Sequence, residues 1–170
     1  MKKNLFFTGM AVLFLCSVST EGVQAQTAEV NVGGSVARPY KINPSAMSAM
    51  KKVEVTVKDH DGKDHHYSGV SLYEVLTKAE AVPGNLLKGK TMAKYVLITA
   101  ADNYQVVVAI PEFDPAFTDQ VIVLADKEDG EALAANLGPY RLVVPGDKKP
   151  ARSVMRVTSI EVLDARNLKR

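Results

Sequence analysis

The chain has 170 residues, with 21 Lys and Arg against 19 Asp and Glu, for a formal charge of +2. That balance, without any long basic run, gives no case for nucleic acid as a partner. A single cysteine, Cys16, leaves no disulfide framework and no paired-cysteine metal site.

Lys2 and Lys3 precede an apolar stretch from Leu5 to Val18, and Val23-Gln24-Ala25 offers small residues where a signal peptidase reads. Residues 1–25 therefore have the form of a secretory signal peptide. The expected product is one domain, residues 26–170, periplasmic or secreted and free of the membrane after cleavage. A retained anchor is the alternative, and it would want about 20 apolar residues. Lipid attachment at Cys16 is disfavoured by Leu15, where a small residue is expected. Cleavage removes the only cysteine, so the mature domain must be held by its core alone.

Ala28 to Val36 alternates weakly around Gly33-Gly34, which predicts a strand with a bend. Asn43-Pro44 starts a short helix with Ala46, Met47 and Met50 on its buried side. Val53, Val55 and Val57 alternate with polar residues, a half-buried strand. Asp61-Gly62 reads as a two-residue hairpin turn, with His65 to Tyr67 returning antiparallel. Ser71-Leu72-Tyr73-Glu74 is a capping box, followed by the apolar stripe Leu72, Val75, Leu76 and Ala79, and Pro83-Gly84 closes the unit. Tyr95 to Thr99 and Gln105 to Ile110 flank Ala101-Asp102-Asn103 as a second hairpin. Val121 to Ala125 is a continuous apolar run, the pattern of a strand buried on both faces. Asp129-Gly130 turns the chain, and Tyr140 to Val144 and Val154 to Leu163 are the last strands. The sum is an α+β domain, β-rich, on mixed or antiparallel sheets with a few short helices.

All three histidines lie in Asp59 to His66. With a two-residue turn, His60 pairs with Lys63 and Lys58 with His65, so His60 and His65 share a face while His66 points away. No tight three-histidine metal site is expected, and no metal ligand is assigned. Asp102 beside Tyr104 suits turn chemistry. Glu112 and Asp114, near Pro111 and Pro115, suit helix-start carboxylates. No nucleophile elbow or phosphate-cradling glycine loop occurs, so no catalytic residue is assigned.

The remaining feature is "GPYRLVVPGDKKPAR", Gly138 to Arg152. A short apolar run ends at Pro145-Gly146 and opens into a loop bearing Lys148, Lys149 and Arg152, with Arg141 just upstream. These four residues are the candidate ligand-binding set for a small anion, since cations held at a strand end make charge-assisted hydrogen bonds. A solvated surface loop is the plain alternative. The loop cations are expected to add little to folding, whereas Arg141 is also open to a structural role at the Gly138-Pro139 corner.

"HYSGVSLYEVLTKA" (His66 to Ala79), "ITAADNYQVVVAIPE" (Ile98 to Glu112), "VIVLADKEDGEAL" (Val121 to Leu133) and the Gly138 to Val162 stretch resemble, in that order, the molybdopterin-binding domain of the sulfite oxidase family. Its small exported single-domain members are the nearest in form. The resemblance implies a mixed α+β fold, an oxidoreductase-type pterin site near the loop after Pro145, and a redox partner protein. Molybdopterin is the implied cofactor, with Arg141, Lys148, Lys149 and Arg152 facing its anionic side. The family's ligand cysteine falls near the strand Val53 to Val57, which contains none. The basic loop between Pro145 and Ser153 is shorter than the family's, and an aromatic expected around Ser153 is absent. Three functions follow as expectations: an oxidoreductase-type pterin-binding domain, a non-catalytic anion-binding or protein-interaction module on the same scaffold, and a metal carrier using the hairpin histidines.

Overall fold

The computed structural model describes residues 28–58, 62–81 and 87–167. The expected leader, His60 within the Asp59–Asp61 segment, and Pro83-Gly84 lie outside the described residues. In chain order the elements begin with β1 (Val30–Gly34), β2 (Tyr40–Ile42), α1 (Pro44–Ala49), β3 (Lys52–Lys58), β4 (Asp64–Ser71) and α2 (Leu72–Lys78). They continue with β5 (Lys94–Ala100), β6 (Gln105–Ala109), β7 (Val123–Glu128), β8 (Glu131–Ala132), β9 (Arg141–Val143) and β10 (Val157–Asp164).

One sheet has the order β2-β1-β10-β5-β6, in which β1 and β10 run parallel and the other neighbours antiparallel. The other has the antiparallel order β3-β4-β7, with β8 and β9 sharing the far edge of β7 at different heights. The expected β-rich α+β fold on mixed sheets is thus the one observed. No helix among the described residues is long and apolar enough to cross a membrane.

Local signals explain the helices. The Asn43 side chain accepts a hydrogen bond from the Ala46 amide at 2.8 Å and Pro44 occupies the first turn of α1. The Ser71 hydroxyl accepts from the Glu74 amide at 3.1 Å, starting α2, whose Leu72, Val75 and Leu76 are buried. Of the run Val121 to Ala125, read as a strand buried on both faces, Val121 is exposed and the strand begins at Val123. The other four residues are buried on two sides: Ile122 and Leu124 enter the main core, while Val123 and Ala125 pack with Tyr67 and Val143 in a second cluster. Val53, Val55 and Val57 cover that second cluster from β3.

Gly69 is required by this packing. A β-carbon there would meet the Leu124 carbonyl oxygen at 2.1 Å and the Ala125 α-carbon at 2.5 Å. The β4–β7 register shifts between Ser68 and Gly69, which draws the two backbones together at that point.

The first hairpin departs from the sequence reading. Its last pair is Lys58 with Asp64, so five residues connect the strands instead of two, and His65 lies opposite Val57 instead of Lys58. Alternation still sends His65 and His66 to opposite faces. His66 Nδ1 lies 2.9 Å from the Thr56 hydroxyl.

The 145–153 loop is braced from several sides. Its ends are tied by the Leu142 amide to the Val154 carbonyl at 2.8 Å and by the Val144 amide to the Ser153 hydroxyl at 3.1 Å. The Tyr104 hydroxyl donates to the Ala151 carbonyl at 2.9 Å. Arg152 donates to both oxygens of Asp147, at 2.8 and 2.7 Å, and to Glu112 at 2.7 Å. Arg152 was expected to be a free loop cation with little part in folding. It is a brace instead, because two carboxylates converge on its planar fork. Its presence holds the Asp147 carboxyl below the ordinary value, chiefly by hydrogen bonding.

Two stability outcomes follow. Gly69→Ala should destabilise by about 3 kcal/mol, since two backbones must part to admit a methyl group; a melting point within a degree of wild type would refute the close approach. Arg152→Ala should cost about 1 kcal/mol, a modest figure because the guanidinium is partly solvated. The depressed Asp147 carboxyl gives that difference a pH signature. The brace contributes fully above the ordinary carboxylate value of 3.8 and fades as pH falls through the lowered folded value. Thermal melts of wild type and Arg152→Ala should therefore stay apart at neutral pH and converge in acid.

Candidate anion-binding cavity

A cavity of about 430 Å3 opens beside the second sheet, between the last residues of β3 and the loop that follows β9. Val57, Lys58, Arg141, Pro145, Asp147 and Lys148 are among its walls. Arg141 stands at the start of β9 and is only 6% exposed. Its guanidinium lies over the Tyr67 ring at 4.8 Å and donates through Nη1 to the Tyr67 hydroxyl. That hydroxyl in turn donates to Glu128 at 2.7 Å. Through Tyr67 Arg141 engages β4, and so joins β9 to the sheet's interior.

Lys148 is exposed on the loop and lines the same cavity. Lys149 is also exposed and precedes the short 3-10 turn Pro150–Arg152; Pro150 is in the lining and Lys149 is not. Arg152 does not line it either. Of the four cations singled out in the sequence, the fold therefore brings two, Arg141 and Lys148, to the cavity wall. A third cation there is Lys58, which the sequence reading did not single out as a ligand-binding residue. No local pattern marks it: it reaches the cavity because β3 pairs with β4 and β4 with β7, far from the basic loop in sequence.

The charges on this wall differ in kind. Arg141 is fixed by its ring contact and presents a planar fork; Lys58 and Lys148 are mobile point charges on flexible stems. Asp147 is the one carboxylate, and it is already paired with Arg152. The wall therefore carries a positive excess. Its donor atoms are nitrogen and oxygen; no cysteine or methionine is in the lining.

The other sequence candidates are occupied with local work. Asp102 accepts from the Tyr104 amide at 3.0 Å, inside the β5–β6 turn. Glu112 accepts from the Ala109 amide at 2.8 Å as well as from Arg152, and Asp114 accepts from the Ala116 amide at 2.9 Å. A second cavity, of about 470 Å3, lies by Gly138, Pro139 and Arg156. Its charged lining residues are one arginine, Arg156, and one carboxylate, Glu29, which Lys41 holds at 2.8 Å, so it gathers fewer cations than the first cavity.

The crystal structure of the sulfane dehydrogenase SoxCD from Paracoccus pantotrophus superposes with a TM-score of 0.64 at 19% identity. The superposition covers 81% of this chain and 38% of that one, so this chain spans well under half of the solved protein's length. No curated protein matches the chain. A family model described as the oxidoreductase molybdopterin binding domain matches residues 17–169, from within the expected leader almost to the last residue. With that match over most of its length, and with the fold of SoxCD, the chain belongs to the oxidoreductase molybdopterin-binding domain family.

Proposed function

We propose that this chain is an exported domain of the molybdopterin-binding family that holds a phosphate-bearing pterin, or a related small anion, without supplying a thiolate to molybdenum. The observation that carries the reading is the cavity wall where Arg141, Lys58 and Lys148 meet. A space of about 430 Å3 is in the range of small-molecule sites. Val57, Val144, Pro145 and Pro150 give it apolar surface for a flat ring, and the three cations give it an anchor for negative charge.

The lining fits the anionic part of molybdopterin and does not fit the ligation of its metal. A soft thiolate is what suits a protein to such a centre, and the cavity offers only nitrogen and oxygen donors. The only cysteine of the sequence, Cys16, falls within the expected leader. A bound molybdopterin would bring dithiolene and metal redox chemistry of its own. The chain's residues would bind and orient the anion. Arg141 holds a donor in a set direction because its plane is fixed on Tyr67. Lys58 and Lys148 close on the ligand from either side. Arg152 keeps the Asp147 carboxylate occupied and so reduces its repulsion of the anion.

Support for export is confined to the first 25 residues, with their basic start, apolar centre and small residues before Gln26. Intact mass of the protein from a periplasmic fraction should correspond to a chain starting at about Gln26. Retention of the leader would contradict this.

Ligand binding should show in thermal melts with a phosphate monoester at millimolar concentration, because a ligand of the native state raises the melting point by mass action. Lys58→Ala and Lys148→Ala should each weaken binding by about tenfold, the lower end for a charged hydrogen bond, and leave the unliganded melting point nearly unchanged. Arg141→Ala should weaken binding and also destabilise the fold by about 2–3 kcal/mol, since it strips a buried contact from Tyr67. Equal shifts in wild type and the Lys58→Ala, Lys148→Ala double variant would mean that the loop is a solvated turn. Stoichiometric molybdenum in the isolated protein would overturn the thiolate-free reading.

A further inference from the structure

Strand pairing brings to His65 two groups that sequence spacing keeps far away. Its Nδ1 is 3.0 Å from Glu128 Oε1, at the end of β7, and 3.3 Å from Asp129 Oδ2, in the turn that follows. One ligand atom from each of the three residues lies within 4.8 Å of the others. We propose that His65, Glu128 and Asp129 form a site for one divalent transition-metal ion of the zinc type, separate from the anion cavity.

The spacing fits the ion. Zinc bonds to imidazole nitrogen and carboxylate oxygen are about 2.0–2.2 Å long, which sets tetrahedral ligands about 3.3 Å apart. The two measured separations lie at or just below that value. The charge fits as well: a neutral imidazole with two carboxylates offers two negative charges to a dication. Imidazole in the set favours zinc, copper or nickel over magnesium and calcium, which prefer oxygen throughout.

The ligands are also oriented by a surrounding shell. Tyr67 donates to Glu128 Oε1 at 2.7 Å and is itself fixed beneath Arg141. The His66 amide donates to Asp129 Oδ1 at 2.9 Å, which turns Oδ2 toward His65. The Asp129 amide returns a bond to the His66 carbonyl at 2.7 Å. Asp129 and Gly130 hold φ of +49° and +88°, the two successive left-handed residues of a tight hairpin turn. Such outer contacts are what keep metal ligands aimed. The site is sheltered but reachable: the side chains of His65 and Glu128 are 22% and 20% exposed, and that of Asp129 is 50% exposed.

The competing reading is a protonated His65 ion-paired with both carboxylates and no metal affinity. Calorimetric titration of chelator-treated protein with zinc chloride at neutral pH separates the two. One saturable site is expected, weakened in His65→Ala and in Asp129→Asn by more than the roughly 10- to 100-fold that loss of an outer contact costs. Asn tolerates the left-handed turn position, so Asp129→Asn keeps the fold if His65→Ala does not. His66→Ala, on the opposite strand face, should bind zinc as wild type does, and excess magnesium or calcium should not displace the ion. Zinc should raise the melting point of wild type and not of Asp129→Asn. The absence of saturable zinc heat in wild type, or equal zinc affinity in wild type and Asp129→Asn, would overturn the proposal. Loss of phosphate binding would leave it untouched, since no ligand of the ion lines the anion cavity.

Discussion

The second sheet is organised around a buried guanidinium. Arg141 enters at the start of β9, lies over the ring of Tyr67 from β4 and donates to its hydroxyl, which donates to Glu128 on β7. Three strands are thereby joined by side chains as well as by their backbone ladder. Removing a charge from water is costly unless it is paired and hydrogen-bonded. Here the aromatic face and the phenol answer part of that cost, and the Glu128 carboxylate extends the chain of hydrogen bonds. Both candidate sites hang from the two ends of this chain. Arg141 forms part of the anion cavity wall at one end, and Glu128 stands beside His65 and Asp129 at the other.

Much of the fold was legible because it rests on local rules. The continuous run at Val121 to Ala125 announced burial on both faces, and Ile122 and Leu124 do pack opposite Val123 and Ala125. Ser71 and Asn43 announced helix starts through their short polar side chains. The first hairpin was misread because Asp61-Gly62 carries the chemistry of a two-residue turn, while the pairing of Val57 with His65 leaves a longer connection. Turn chemistry is local, but register is also set by which valines must face the Tyr67 cluster.

The sites were less legible because neither is local. The basic loop could be seen, but not that Glu112 and Asp147 would close on Arg152, nor that Lys58 would arrive from β3. The histidine-rich segment drew attention to itself, whereas the partners of His65 come from the end of β7, some sixty residues on. Residue type alone cannot show which charges will meet across a ladder. The pieces that carried the family resemblance, Gly69-Val70 and Gly138 to Pro145, turn out to be places where backbones approach or a strand ends beside the cavity.

The loop's cations divide by what they face. Asp147 lines the cavity, and an unpaired carboxylate there would compete with any anion for Arg141, Lys58 and Lys148. Arg152 removes that competitor by taking both of its oxygens, and its third contact, to Glu112, ties the loop to the segment after β6. A lysine could not do the same work, because a single ammonium lacks the planar fork that meets one carboxylate with two parallel bonds and a second with another. The arrangement leaves a wall of one oriented donor and two mobile ones around an apolar floor. Such a wall is suited to charge more than to shape, because lysine stems adapt while the guanidinium plane does not.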